Sequence, residues 1–132
     1  MDQLFSLAAL IVCAVVLLSL YNRRFPSGPR VPRLSMEAAR QTLDGGAPVT
    51  VVDVRTQEEF DGGHIPGALL LPVDTLASAA PEALPDPQAE IWVYCQSGRR
   101  SAAAGRALLA MGYQQVRDLG GIGGWTGPLV RE

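Results

Sequence analysis

A chain of 132 residues with a formal net charge of −2 holds one compact domain and little more. Its 11 basic residues are all arginine, and beyond Arg33 seven of them face twelve acids, a net −5 that argues against a nucleic-acid surface. It has two cysteines, Cys13 in an apolar run and Cys95 far downstream, so no internal disulfide is expected.

No residue from Gln3 to Asn22 is charged, and the centre of that stretch is LFSLAALIVCAVVLLSLY, residues 4–21. As a helix those residues span roughly 27 Å, close to the hydrocarbon thickness of a bilayer. Residues 1–22 are therefore expected to form a transmembrane anchor, with the membrane contact through residues 4–21. A cleaved signal peptide fits less well: only Asp2 is charged ahead of the run, and LSLYNRRF offers no small-x-small cleavage site. Val12 is also a poor residue before an acylated Cys13. Arg23, Arg24, Arg30 and Arg33 follow the run and no Lys or Arg precedes it, so the domain is expected to face the cytoplasm of a single-pass protein, in a bacterial inner membrane. A reducing compartment keeps Cys95 as a free thiol.

RRFPSGPRVPR, residues 23–33, has three prolines and four arginines and reads as a semi-stiff linker. Residues 34–132 then alternate between helix and strand signals. Ser35 is a candidate N-cap for MEAARQTLD, stopped by Gly45-Gly46. VTVVDV, residues 49–54, suits a strand buried on both faces. Thr56 and Glu59 form a capping box for QEEF, stopped by Gly62-Gly63. ALLLP, residues 68–72, is a short strand, residues 74–80 a turn or two of helix, and PEALPDPQ a loop. IWVYC, residues 91–95, is a strand, residues 101–111 an alanine-rich helix stopped at Gly112, and QVRDL, residues 115–119, the last strand. The fold class is α/β: about five short parallel strands joined by right-handed crossovers, with helices on both faces, after one transmembrane helix. GGIGG, residues 120–124, has no room for a βαβ unit after it, so it is a tight turn with Trp125 packed back rather than a dinucleotide loop.

Such sheets bind ligands at the carboxyl ends of their strands, and Cys95 sits at such an end. The loop Cys95-Gln96-Ser97-Gly98-Arg99-Arg100 runs from strand to helix N-terminus. Converging backbone N–H groups, the helix dipole and the charges of Arg99 and Arg100 all favour thiolate over thiol. Gly98 allows the sharp turn. The same residues also fit an inert strand-end cysteine beside two solvated arginines, and the loop alone does not separate the two.

The wider pattern resembles the rhodanese family. DVRTQEEFDGGHIPGALLLP, residues 53–72, is similar to the family's D-V-R-x-x-x-E-[FY]-x-x-G-H-I-x-G-A segment, and YCQSGRRS to its C-x-x-G-x-R-S loop. The helix ending in Met111-Gly112-Tyr113 and the run Leu119–Trp125 resemble the family's next two motifs, in order. The resemblance implies a sulfurtransferase. A Cys95 thiolate takes the outer sulfur of a donor such as thiosulfate, becomes a persulfide, and passes the sulfur to cyanide or a thiol. It makes Cys95 the catalytic residue and Gln96, Ser97, Gly98, Arg99 and Arg100 the persulfide-binding loop. Asp53, Arg55 and Ser101 support it. His64, the single histidine, orders a loop and marks no metal site. No cofactor is implied.

Two other readings are weaker. A cysteine phosphatase or arsenate reductase has a seven-residue C-x5-R loop, whereas Arg100 follows Cys95 by five positions. A rhodanese-fold binding module without turnover tends to lose the cysteine or the arginine, and both are here. Between these lies a persulfide relay handing sulfur to a membrane partner. Gln96 stands where many family members carry a cation, an exchange expected to weaken the pull on dianionic donors, with Arg99 as the charge that can compensate. The donor, the protein acceptor and the oligomeric state are not legible.

Overall fold

The structure, a computed structural model, describes residues 2–24 and 30–131, apart from the side chains of residues 2–5, 22 and 24. Helix α1 covers Asp2–Arg24. Its described side chains, those of residues 6–21 and 23, are all exposed. Among the described residues no helix is long and apolar enough to cross a membrane. The expected transmembrane helix over residues 4–21 is not met on those terms.

The domain follows the predicted alternation. Helix α2 covers Met36–Asp44, and the Ser35 side chain accepts from the Ala38 N–H at its start. Strand β1 (Thr50–Asp53) leads to helix α3 (Gln57–Asp61), then to β2 (Leu69–Leu70) and helix α4 (Leu76–Ala83). Strand β3 (Glu90–Cys95), helix α5 (Arg99–Ala110) and strand β4 (Gln115–Gly121) follow, with a 3-10 turn at Ile122–Gly124.

The sheet has four parallel strands in the order β2-β1-β3-β4, one fewer than expected. The place of a fifth, beside β4, is held by a single bridge between Arg33 and Asp118. Asp118 donates to the Pro32 carbonyl at 2.9 Å and accepts from Leu34 N–H at 3.1 Å. Pro32 has no N–H of its own, so the ladder cannot extend through it. Residues 31–34, at the end of the expected linker, are thus bonded to the domain, and Val31 packs against the core.

The period-2 alternation of β3 divides the interior. Ile91, Val93 and Cys95 face α4 and α5, packing with Leu76, Ala80, Ala104 and Leu108. Trp92 and Tyr94 face α2, packing with Met36, Ala39 and Val51. Helix α4 runs three residues past its expected end and includes Pro81. Pro81 has no N–H to give to the carbonyl of Ala77, four residues back, and Ala77 lies on the exposed face.

Candidate active site

Cys95 is the last residue of β3 and has no exposed surface. Gln96 and Ser97 follow as an exposed turn, and Gly98 takes a left-handed conformation, φ 96°, at the N-cap of α5. That conformation starts the helix at Arg99, two residues earlier than the sequence suggests, and suits glycine. It also folds the backbone over the thiol: the Gly98 N–H donates to Cys95 Sγ at 3.0 Å.

Burial pushes the Cys95 thiol up. The Ser101 hydroxyl and the backbone N–H groups of Ser101, Gly98 and Ser97 more than offset it, so the thiol lies below its ordinary value. The Ser101 hydroxyl has two acceptors within reach, this sulfur and the Gly98 carbonyl at 3.1 Å. The sequence assigns this effect partly to arginine charge; in the structure the leading contributions are hydrogen bonds. Arg100 turns away to α3, where Nη1 and Nη2 donate to Glu59 Oε1 and Oε2 at 2.6 and 2.9 Å. Glu59 also accepts from the Thr56 N–H at 3.0 Å, completing the capping box. Arg100 first, then the Thr56 bonds, hold the Glu59 carboxyl down to about 2, against the opposing pull of burial.

Asp53 and Arg55 form the other side of the site. Both are buried, and they pair at 2.7 Å. Arg55 Nε donates to both Asp53 oxygens at 3.1 Å, and Nη2 also donates to the Gly63 carbonyl at 2.7 Å. Nη1 reaches across to Gln96 Oε1 at 3.1 Å. The guanidinium lies 5.6 Å from the centre of the Tyr94 ring. The Tyr94 hydroxyl accepts from Ile65 N–H at 3.1 Å, and burial, with Asp53 next, raises it well above its ordinary value. His64 stacks on Phe60 at 3.6 Å and its Nδ1 bonds the Phe60 carbonyl at 2.9 Å, so it orders the turn.

Four contributors are not singled out by the sequence as part of the site. Glu59 reads there as a cap alone. Tyr94 reads as a strand residue and Gly63 as a helix stop. Gly121, in the run read as a turn, ends β4 against the loop: a Cβ there would lie 2.7 Å from the Gln96 carbonyl oxygen. The available signal is a glycine pair at the end of a strand, which marks close backbone approach. Arg99 is exposed and points to no ionic partner among the described residues. Among the described residues no group of His, Cys, Asp and Glu is placed to hold a metal.

Comparison with known proteins agrees with this geometry. The rhodanese-like domain profile matches residues 35–127. The thiosulfate sulfurtransferase PspE of Escherichia coli is 34% identical over 80 residues, 61% of this chain and 77% of that protein. YrkF of Bacillus subtilis is 35% identical over 98 residues, 74% of this chain; the match spans about half, 52%, of its length. The solution structure of the rhodanese-like domain of the Anabaena protein Alr3790 superposes with a TM-score of 0.72 at 27% identity, over 76% of this chain and 80% of that one. A domain of this kind, with a cysteine seated in such a loop, fits a sulfurtransferase. The chain belongs to the rhodanese-like domain family.

Proposed function

We propose that the protein carries sulfane sulfur as a persulfide on Cys95. The observation that carries this reading is the Gly98 N–H at 3.0 Å from a buried thiol, with Ser97 and Ser101 adding further donors. In the reaction the Cys95 thiolate forms an S–S bond to the outer sulfur of thiosulfate. The bond between the two donor sulfurs breaks, its electron pair leaves with sulfite, and the cradle of N–H groups stabilises the new terminal anion. Cyanide or a thiol then takes that outer sulfur and restores the thiolate. Cys95 itself has no exposed surface, so the added sulfur is the atom offered to the acceptor. Arg100 is committed to Glu59, which supports its role as a tie between the loop and α3 and speaks against a phosphate clamp.

The reading extends to place. The uncharged sequence of residues 4–21 and the exposed leucines and valines of α1 support membrane attachment, with the domain on the cytoplasmic side of a bacterial inner membrane. A membrane-bound thiol protein is then a natural acceptor.

Intact mass of the full chain after incubation with thiosulfate tests the chemistry. A gain of one sulfur on wild type and none on Cys95→Ala, reversed by cyanide, is expected. No gain with thiosulfate or with stronger sulfane donors removes the proposal. Flotation of the chain with lipid vesicles, against a variant with three leucines of α1 changed to Asp, tests attachment separately.

A further inference from the structure

The full charges around Cys95 cancel in pairs. Asp53 opposes Arg55 at 2.7 Å, and Glu59 opposes Arg100 at 2.6 Å. Among the described residues this leaves Arg99 as the loop's one unopposed cation. A Cys95 thiolate balances that charge too. The side chains of a site poised for attack therefore carry no net charge to draw in a dianion, and only the loop N–H groups are left to hold it.

Gln96 reinforces this neutrality. Its Oε1 accepts from Arg55 Nη1 at 3.1 Å, and only the oxygen end of a carboxamide can face that donor. The two N–H donors of Gln96 are thereby left for the exposed rim next to Cys95. Arg55 is not free to turn aside, because its other nitrogens hold Asp53 and the Gly63 carbonyl. A cation at position 96 would meet the Arg55 guanidinium across the same short gap.

We infer that this site discriminates for sulfur donors bearing a single negative charge, such as organic thiosulfonates, over the thiosulfate dianion. Gln96 is the specificity-determining residue, and Arg55 is the positioning residue that holds it. The inference rests on the sulfur-transfer reading above. With a thiosulfonate the thiolate bonds the outer sulfur, the S–S bond of the donor breaks, and its electron pair leaves as a sulfinate. The reacting pair carries two negative charges before and after, against three with thiosulfate, and no proton or oxidant is consumed.

The test is steady-state kinetics of the full chain with thiosulfate and with benzenethiosulfonate, cyanide as acceptor, for wild type, Gln96→Lys and Gln96→Glu. Gln96→Lys is expected to raise kcat/KM for thiosulfate at least about fivefold relative to its effect on the thiosulfonate, through KM rather than kcat. Gln96→Glu is expected to shift the same ratio the other way. In wild type, kcat/KM for thiosulfate should change by less than about twofold between 20 and 200 mM salt. A steep fall with salt, or the same response of both donors to both variants, overturns the inference while leaving sulfur transfer intact. Failure of both donors to load wild-type Cys95 is a separate result: it overturns the transfer reading, and this inference with it.

Discussion

Arg100 and Glu59 meet in a two-pronged ion pair, 2.6 and 2.9 Å, across 41 positions of sequence. The pair joins the first turn of α5, which carries the cysteine loop, to the first turn of α3. Glu59→Gln keeps a cap for Thr56 and removes the charge. At neutral pH it should cost about 1 kcal/mol, the upper range for a partly exposed pair. The Glu59 carboxyl is lowered in the fold, so its contribution is full above the ordinary carboxylate value, about 4.5, and fades as pH falls toward about 2. Thermal unfolding of the two proteins should differ at pH 7 and converge through that window.

Ser101 sets the reactivity of the thiol. Its hydroxyl and N–H are the first two groups that favour the Cys95 thiolate against burial. The rate of alkylation by iodoacetamide should therefore reach half its maximum below about pH 8.5, the value of an ordinary thiol. Ser101→Ala should move that midpoint upward, with Cys95→Ala showing no alkylation at this site. An unmoved midpoint contradicts the assignment.

Gly121 leaves room for the loop. A methyl group there would meet the Gln96 oxygen at 2.7 Å and Ser97 at 3.3 Å, all backbone atoms that cannot swing away. Gly121→Ala should reduce sulfur loading more than about tenfold and cost about 1–3 kcal/mol in stability. Gly123→Ala meets nothing within 4 Å and serves as the control. The comparison reads both proteins by intact mass and by denaturant midpoint.

Gly105, in the middle of α5, holds Val31. A Cβ on Gly105 would lie 2.9 Å from both Val31 methyls. Gly105→Ala should destabilise the domain by about 1–3 kcal/mol, and Val31→Ala added to it should recover part of that loss. A double-mutant cycle measured by chemical denaturation checks the coupling, and strict additivity would show that the two residues do not touch.

Much of this arrangement is legible in the chain. The alternation in IWVYC puts Cys95 on one face and Tyr94 on the other, and β-branched and aromatic residues mark the strand itself. The Thr56–Glu59 capping box is a local pattern and appears as read. The two buried or half-buried ion pairs divide on the same principle. Asp53 and Arg55 stand two residues apart, so a turn brings them together, whereas Glu59 and Arg100 meet only through the tertiary fold. The left-handed Gly98 lies at the site of an expected turn, but its effect on the helix start depends on the Gly120–Gly121 backbone packed behind it. The single bridge beside β4 is a tertiary event: composition reads Val31, Pro32 and Arg33 as linker, and only the folded sheet offers Arg33 an open edge at Asp118.

That edge has a mechanical consequence. The chain between Val31 and Leu34 is bonded to β4 through Asp118 and wedged into α5 at Gly105, the two elements that enclose the cysteine loop. Tension along the chain loads the Asp118 ladder in shear and the Val31 wedge at once. A pull applied at Val31 would be felt at the walls of the cysteine site before the rest of the sheet gave way.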